Sequence, residues 1–293
     1  MTTSGPSSLL ARSWTDELVQ ATCSQLNSGR VITGDFSKAP LDRCRRVVGA
    51  HVESSSFDAA SFEGLWVETS TFRNCTFGKA NLRGLRDHGN TFTGSVFNGS
   101  RLKGATLGIK GTVFSGCQFN GVDFRGCGFV RPRFEDCRFR DCILDGVDFE
   151  ASRFVACTFI GRLRNVWFRA DYSHSELSRE FGRPQGPPTL SADFSEASLW
   201  GVGFSRGLDL KGVSLPTDGA HFRFESWPDR LRAIEFAAAQ RPSEIRKSIN
   251  EFVQVFRADE RQRDYVVNRA DLVSMFGEGP ANEILKLLGE PAA

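Results

Sequence analysis

The groups in this sequence that could do chemistry are its thiols, imidazoles and carboxylates, and the thiols are the most regularly placed. Cys117, Cys127, Cys137, Cys142 and Cys157 lie at multiples of five residues from one another. Thiols at fixed spacing could bind a metal, pair as disulfides or act as nucleophiles, and each of these chemistries needs partners. A nucleophilic cysteine needs a neighbouring base or cation to lower its pKa. The four histidines, His51, His88, His174 and His221, are scattered, and none stands at metal-ligand spacing. No G-x-S-x-G, P-loop or H-E-x-x-H motif occurs. GVGFSRG at 201–207 resembles a glycine fingerprint only loosely. The sequence predicts no enzyme: no catalytic residue, no metal and no cofactor. The thiols read as small hydrophobes.

The elements that must carry these thiols have a period of five. FEDCRFRDCILDGVDFEASRFVACTF places Phe or Leu at 134, 139, 144, 149, 154 and 159. A helix repeats near 3.6 and a half-buried strand at 2, so five fits neither. One register runs from Val52 through Phe57, Phe62, Val67, Phe72, Phe77 and Leu82 to Leu107. A second runs from Phe114 to Phe159, and a third holds Phe194, Leu199 and Phe204. With an earlier fragment of the same spacing, Phe36 and Leu41, 18 of the 26 Phe occupy such centres, which argues for one repeated interior environment. Two residues before nearly every centre stands a small or thiol side chain, as at Ser70, Cys75, Ala80, Cys117 and Cys137, and the flanking positions are mostly polar. Each unit therefore turns one large and one small side chain inward.

Composition bounds the function classes. The 37 basic and 35 acidic residues nearly cancel, giving no bulk attraction to nucleic acid or anionic membrane. No apolar run approaches the roughly 18 residues of a membrane span. The N-terminal stretch lacks the basic region and apolar core of a signal peptide. The expectation is a soluble cytoplasmic protein with reduced thiols rather than disulfides.

The run CRFRD CILDG VDFEA SRFVA CTFIG, with ANLRG at 80–84 and VDFRG at 122–126, resembles the pentapeptide-repeat family. The resemblance implies a mainly β fold: a right-handed quadrilateral β-helix in which four units make one coil of 20 residues. Residues 20 apart then stack at roughly 4.8 Å, so Phe114, Phe134 and Phe154 form one ladder and Cys117, Cys137 and Cys157 a column. A one-dimensional column does not converge on a metal. About six or seven coils are expected, with both open ends capped. The chain divides into an N-terminal helical cap (1–30), the β-helix (31–165), an insertion loop (166–191), final coils (192–225) and a C-terminal helical region (226–293).

Three stretches leave the register. Asp87 falls at a centre between Leu82 and Phe92, and an unpaired interior carboxylate is costly. GLRDHGN at 84–90 is therefore expected to bulge outward with His88 exposed. GIKGT at 108–112 holds a two-residue insertion. The segment 162–190 carries a short helix near SHSELSREFG and a Pro/Gly-rich turn.

The best-understood relatives protect DNA gyrase and other type II topoisomerases from antibiotic poisons by imitating duplex DNA, with loops that engage the enzyme. The resemblance implies partner contacts at Arg86, Asp87, His88, Ile109 and Lys110, and an acidic face of Glu135, Asp136, Asp141, Asp145, Asp148 and Glu150. The partner would be DNA gyrase or topoisomerase IV, without direct nucleic acid or membrane binding, and the C-terminal helices could join two copies. Residues 51–160 carry 13 basic and 12 acidic residues, however, where a mimic should be acidic. An adaptor for another protein complex is the alternative. A continuous acidic stripe would favour mimicry; a mixed surface with an apolar patch would favour an adaptor.

Overall fold

Each five-residue unit forms a short extended segment and then a corner. At the corners the backbone takes the left-handed conformation, as at Asn74 and Asp136 with φ of 52° and 49°. Asn and Asp tolerate that region better than other side chains do. A computed structural model describes residues 13–257 and 261–289. In it the segments stack in parallel on four sides of a right-handed β-helix. The first side runs from Val31 through His51, Thr71, Thr91, Val113 and Arg133 to Arg153, Thr189 and Asp209. The second carries Ser56, Thr76, Val96, Gln118 and Arg138, and the third Ser61, Asn81, Arg101, Asp123 and Ile143. The fourth carries Arg46, Trp66, Arg86, Thr106 and Gly128. Nine rungs on the first side exceed the six or seven coils expected, because Ile32, Leu190 and Leu210, outside the registers read from the sequence, also carry rungs.

The expected ladders are present. Phe114 stacks on Phe92 and Phe134 with ring centroids 4.9 and 5.0 Å away. Phe139 lies between Phe119 at 4.8 Å and Phe159 at 4.6 Å. Such pairs add about 0.5–1.5 kcal/mol beyond area burial. The small column has its own chemistry. The Cys137 and Cys157 thiols donate to the Phe114 and Phe134 carbonyls at 3.3 and 3.4 Å, as the Ser95 hydroxyl does to Phe72 at 3.2 Å. A small side chain with a weak donor fits the corner and satisfies a buried carbonyl. The six column cysteines are unpaired and buried, and burial pushes the Cys142 thiol up to about 12.

Both ends are closed. Helix α1 (Asp16–Leu26) starts at Thr15, whose hydroxyl accepts the Leu18 N–H, and buries Val19 and Leu26. Beyond it the Asn27 side chain accepts the Val48 N–H at 2.8 Å. The part of the expected cap helix at 7–12 lies outside the described residues. The reduced-thiol expectation fails at this end: Cys23 and Cys44 form a disulfide tying α1 to a 3₁₀ turn at Leu41–Cys44. Neither belongs to the column, and the cap packing brings their Cα atoms to 5.3 Å.

The insertion is shorter than expected. Trp167–Arg169 pairs with Asp148–Phe149 below and Gly203–Ser205 above, and Phe168 joins the interior between Phe149 and Phe204. The segment beyond it, with helix α2 (Leu177–Phe181), folds back over the first side. Arg153 holds it, its guanidinium donating to the carbonyls of Ala170, Gln185 and Gly186.

Helices α3 (Trp227–Ala238), α4 (Ser243–Phe256), α5 (Arg269–Phe276) and α6 (Glu278–Leu288) enclose a second core around Trp227, Ile234, Phe252 and Ile284. An antiparallel pair, His221–Phe224 with Tyr265–Asn268, joins them to the rod. Buried Gln262 exchanges two hydrogen bonds with the Leu208 backbone, at 2.7 and 3.2 Å, closing part of the last open edge. Among the described residues no helix is long and apolar enough to cross a membrane.

Candidate functional site

Two departures from the repeat meet on the fourth side. Arg86–His88 is a strand lying between Trp66–Glu68 and Thr106–Ile109. Asp87 is aligned with Val67 and has no exposed surface. This corrects the expected outward bulge: Asp87 points into the β-helix and His88 is buried. The interior carboxylate has donors, namely Asn90 Nδ2 at 2.5 Å on Oδ1 and the Gly108 N–H at 2.8 Å on Oδ2. Burial still pushes its pKa up to about 6. The Gly108 donor comes from the two-residue insertion, which slips the register between Arg86 opposite Thr106 and His88 opposite Ile109. Gly108 has φ +91°, and a Cβ there would lie 2.6 Å from both the Val130 oxygen and the Pro132 nitrogen. The turn therefore requires glycine.

The outer surface here is a cationic and aromatic platform. Glu68 accepts Lys110 Nζ at 2.5 Å, the Arg46 guanidinium, and Trp66 Nε1 at 3.2 Å. Lys110, then Arg46, holds the Glu68 carboxyl down to about 2. The His88 ring stacks on Trp66 with centroids 4.0 Å apart, and its Nδ1 has no hydrogen-bond partner among the described residues. Burial lowers the His88 pKa. Arg46, Arg86 and Lys110 outnumber Glu68, so the platform presents net positive charge on ordered side chains. Of the five loop residues expected at a partner contact, Arg86 and Lys110 are exposed, Ile109 is half-buried, and Asp87 and His88 are enclosed.

The six acidic residues do not form a face. Glu135 sits on the first side beside Arg133 at 2.5 Å, and Asp136 and Asp141 occupy successive corners. Asp145 follows Ile143 on the third side. Asp148 lies on the fourth, 2.8 Å from Arg169, and Glu150 accepts the Ser173 N–H at 3.0 Å. Residues close in sequence wrap around a coil; only residues about 20 apart stack into a stripe.

A second feature was not foreseen. A cleft of about 480 Å³ opens between the last coils and the C-terminal helices, walled by Trp167, Arg169, Phe204, Phe256, Tyr265 and Met275. The Trp167 ring occupies the space a side chain at Gly203 would fill, since a Cβ there would come within 2.2 Å of it. The Arg169 guanidinium lies 4.7 Å from the indole centroid. Asp271, whose pKa burial raises, accepts the Gly201 N–H across the junction at 2.9 Å. The available signal was Phe168, 19 residues after Phe149 rather than 20.

The fold and these surfaces define a class, a four-sided β-solenoid that displays ordered side chains on flat sides. Residues 109–158 match a family model described as pentapeptide repeats (9 copies), and the five-residue units of this stretch stack coil on coil as such repeats do. Among solved structures, a trypsin-treated variant of QnrB1, a plasmid-mediated fluoroquinolone resistance protein, is similar at 16% identity. That match covers 61% of this chain and 85% of QnrB1, with a TM-score of 0.39. HetL of the cyanobacterium Nostoc, involved in heterocyst differentiation regulation, is similar at 13% identity over 64% of this chain and 87% of HetL, with a TM-score of 0.21. Rfr23 of the cyanobacterium Cyanothece is 11% identical over 60% of this chain and 94% of its own, with a TM-score of 0.20. No curated protein sequence matches significantly.

Proposed function

We propose that this chain is a non-enzymatic, rigid scaffold that docks a protein partner in the cleft between the β-helix and the C-terminal helices. The observation that carries this reading is the cleft itself, where Trp167, Val255 and Met275 are 39%, 54% and 51% exposed beside the Arg169 and Asp271 polar groups. An exposed apolar patch rimmed by polar groups is characteristic of an interaction site. The rod supports it by holding the wall in one geometry, which lowers the ordering cost of docking. Trp167→Glu and Met275→Glu test the assignment. A partner crosslinked to the wild-type chain and lost from both variants supports it; capture of the same proteins by all three overturns it.

The concrete partner we propose to test first is a type II topoisomerase. The Lys110 turn, held outward on a rigid side, supports this reading, while the dispersal of the acidic residues speaks against duplex mimicry. Purified protein added to a gyrase supercoiling assay, with and without a poison, decides. Restored supercoiling or direct inhibition supports the topoisomerase reading. No effect up to micromolar protein assigns the cleft to a different complex. Association of two copies through the C-terminal helices is a further proposal, supported by Phe236 of α3 at 84% exposure, and sedimentation of wild type against Phe236→Glu tests it.

A further inference from the structure

Whole-chain charge is balanced, but charge is sorted by side. On the third side the outward residues form two columns. One contains Asn81, Arg101, Asp123 and Ile143, in register from coil to coil. The other, two residues along, contains Arg83, Lys103, Arg125 and Asp145. The next coil adds Arg162 and Arg164, and Arg164 is in register with Trp200 above it. From Asn81 onward these columns hold six cations and two carboxylates. Arg125 is bidentate to Asp123, at 2.9 and 2.8 Å. The other five cations, Arg83, Arg101, Lys103, Arg162 and Arg164, are exposed and form no salt bridge among the described residues. Trp200 is 47% exposed at the end of the column.

We propose that the third side is a binding surface for single-stranded nucleic acid. Like charges directly opposite on neighbouring strands destabilise a sheet, and Arg83, Lys103 and Arg125 stand one coil apart in one column. A polyanion laid along the column relieves that repulsion. Five of the six cations are arginines, whose planar fork matches phosphate oxygens. At roughly 4.8 Å per coil, the stripe from Arg83 to Trp200 is about 24 Å long, room for several nucleotides of extended strand. An acidic protein would neutralise the arginines but has no particular use for the indole. A base stacks on it, and a cationic track with an aromatic platform is the recurring design of single-strand binders. This goes beyond the scaffold reading and departs from the expectation of no nucleic-acid contact. That expectation rested on bulk charge, which does not register the sorting by side.

The test is fluorescence anisotropy of a labelled 20-mer of thymidylate with the full chain. Binding is expected at 50 mM salt and should weaken roughly 100-fold by 200 mM, as release of three to four counterions requires. Arg101→Glu with Lys103→Glu should weaken it more than tenfold, while Lys79→Glu on the neighbouring side should change it less than about twofold. All of these positions are exposed, and unchanged melting temperatures establish that the variants are folded. Trp200→Ala should weaken the thymidylate complex about tenfold and leave heparin binding unchanged. No binding at 50 mM salt overturns the proposal. Equal binding of polyglutamate overturns it in favour of an acidic protein. Equal binding of duplex together with indifference to Trp200→Ala reduces the stripe to a general polyanion surface and also overturns it.

Discussion

The Asp87 carboxylate, inside the β-helix, accepts the backbone N–H of Gly108 at 2.8 Å. The two residues are the two main irregularities of consecutive coils, and each accounts for the other. A carboxylate in the ladder position needs donors, and a regular strand directs its N–H groups along the coil axis rather than inward. The two-residue insertion lifts Gly108 out of register so that its N–H reaches Asp87, and it carries Lys110 over Glu68 on the outside.

Stability should therefore depend on pH through Asp87. Its pKa rises from 3.8 to about 6 on folding because burial disfavours the charged form. The folded protein holds the proton more tightly than the unfolded chain, so this contribution is fully present below pH 3.8. It is lost as pH rises to about 6. The linked loss is about 3 kcal/mol. Urea unfolding at pH 4 and pH 7 should show most of this difference in the wild type, and Asp87→Asn should remove that part of the slope. An unchanged slope in the variant would place the titration elsewhere.

The insertion turn should be specific for glycine. Gly108→Ala forces a Cβ into the Val130 carbonyl and Pro132 and should cost about 3 kcal/mol or more. Gly104 has a similar backbone, with φ +72°, but open space around it. Gly104→Ala should cost only about 1 kcal/mol. Thermal melts of the two variants side by side separate steric conflict from left-handed strain.

Phe139→Ala should lose about 3–5 kcal/mol by emptying a site between two stacked rings. Near-native unfolding of this variant would contradict the ladder as the main source of cohesion.

The cysteines divide into two populations. Intact mass after alkylation of the denatured, unreduced protein should show six modified thiols, and after reduction eight. The native protein should react slowly because all six are buried. Cys23→Ser should lower stability by about 3 kcal/mol, the entropy gained by opening a loop of about 20 residues. A count of eight before reduction would show the cap to be held by packing alone.

Arg153→Met should release the segment that its guanidinium holds by three carbonyls. Limited trypsin digestion should then cut near Arg179 and Arg183 well before any site in the coils. Equal cleavage rates in wild type and variant would show that the remaining contacts, such as Tyr172 Oη to the Gly182 carbonyl, suffice.

The period of five alone determined a repeated interior, with one large and one small inward side chain per five residues, and the resemblance carried by that repeat implied the solenoid that stacks them. Pairing across coils follows from the four units per coil that the resemblance implied, which places Phe114, Phe134 and Phe154 in one ladder. Tertiary structure decided what depended on relations between coils. Asp87 looked intolerable inside because its donors come from Asn90 and Gly108, and the second of these lies one coil later. The six carboxylates looked like a face because they are close in sequence, yet a coil carries sequence neighbours around all four sides. The Cys23–Cys44 bond and the junction cleft depend on how α1 and the C-terminal helices meet the ends of the rod, where the repeat has stopped and packing sets the geometry.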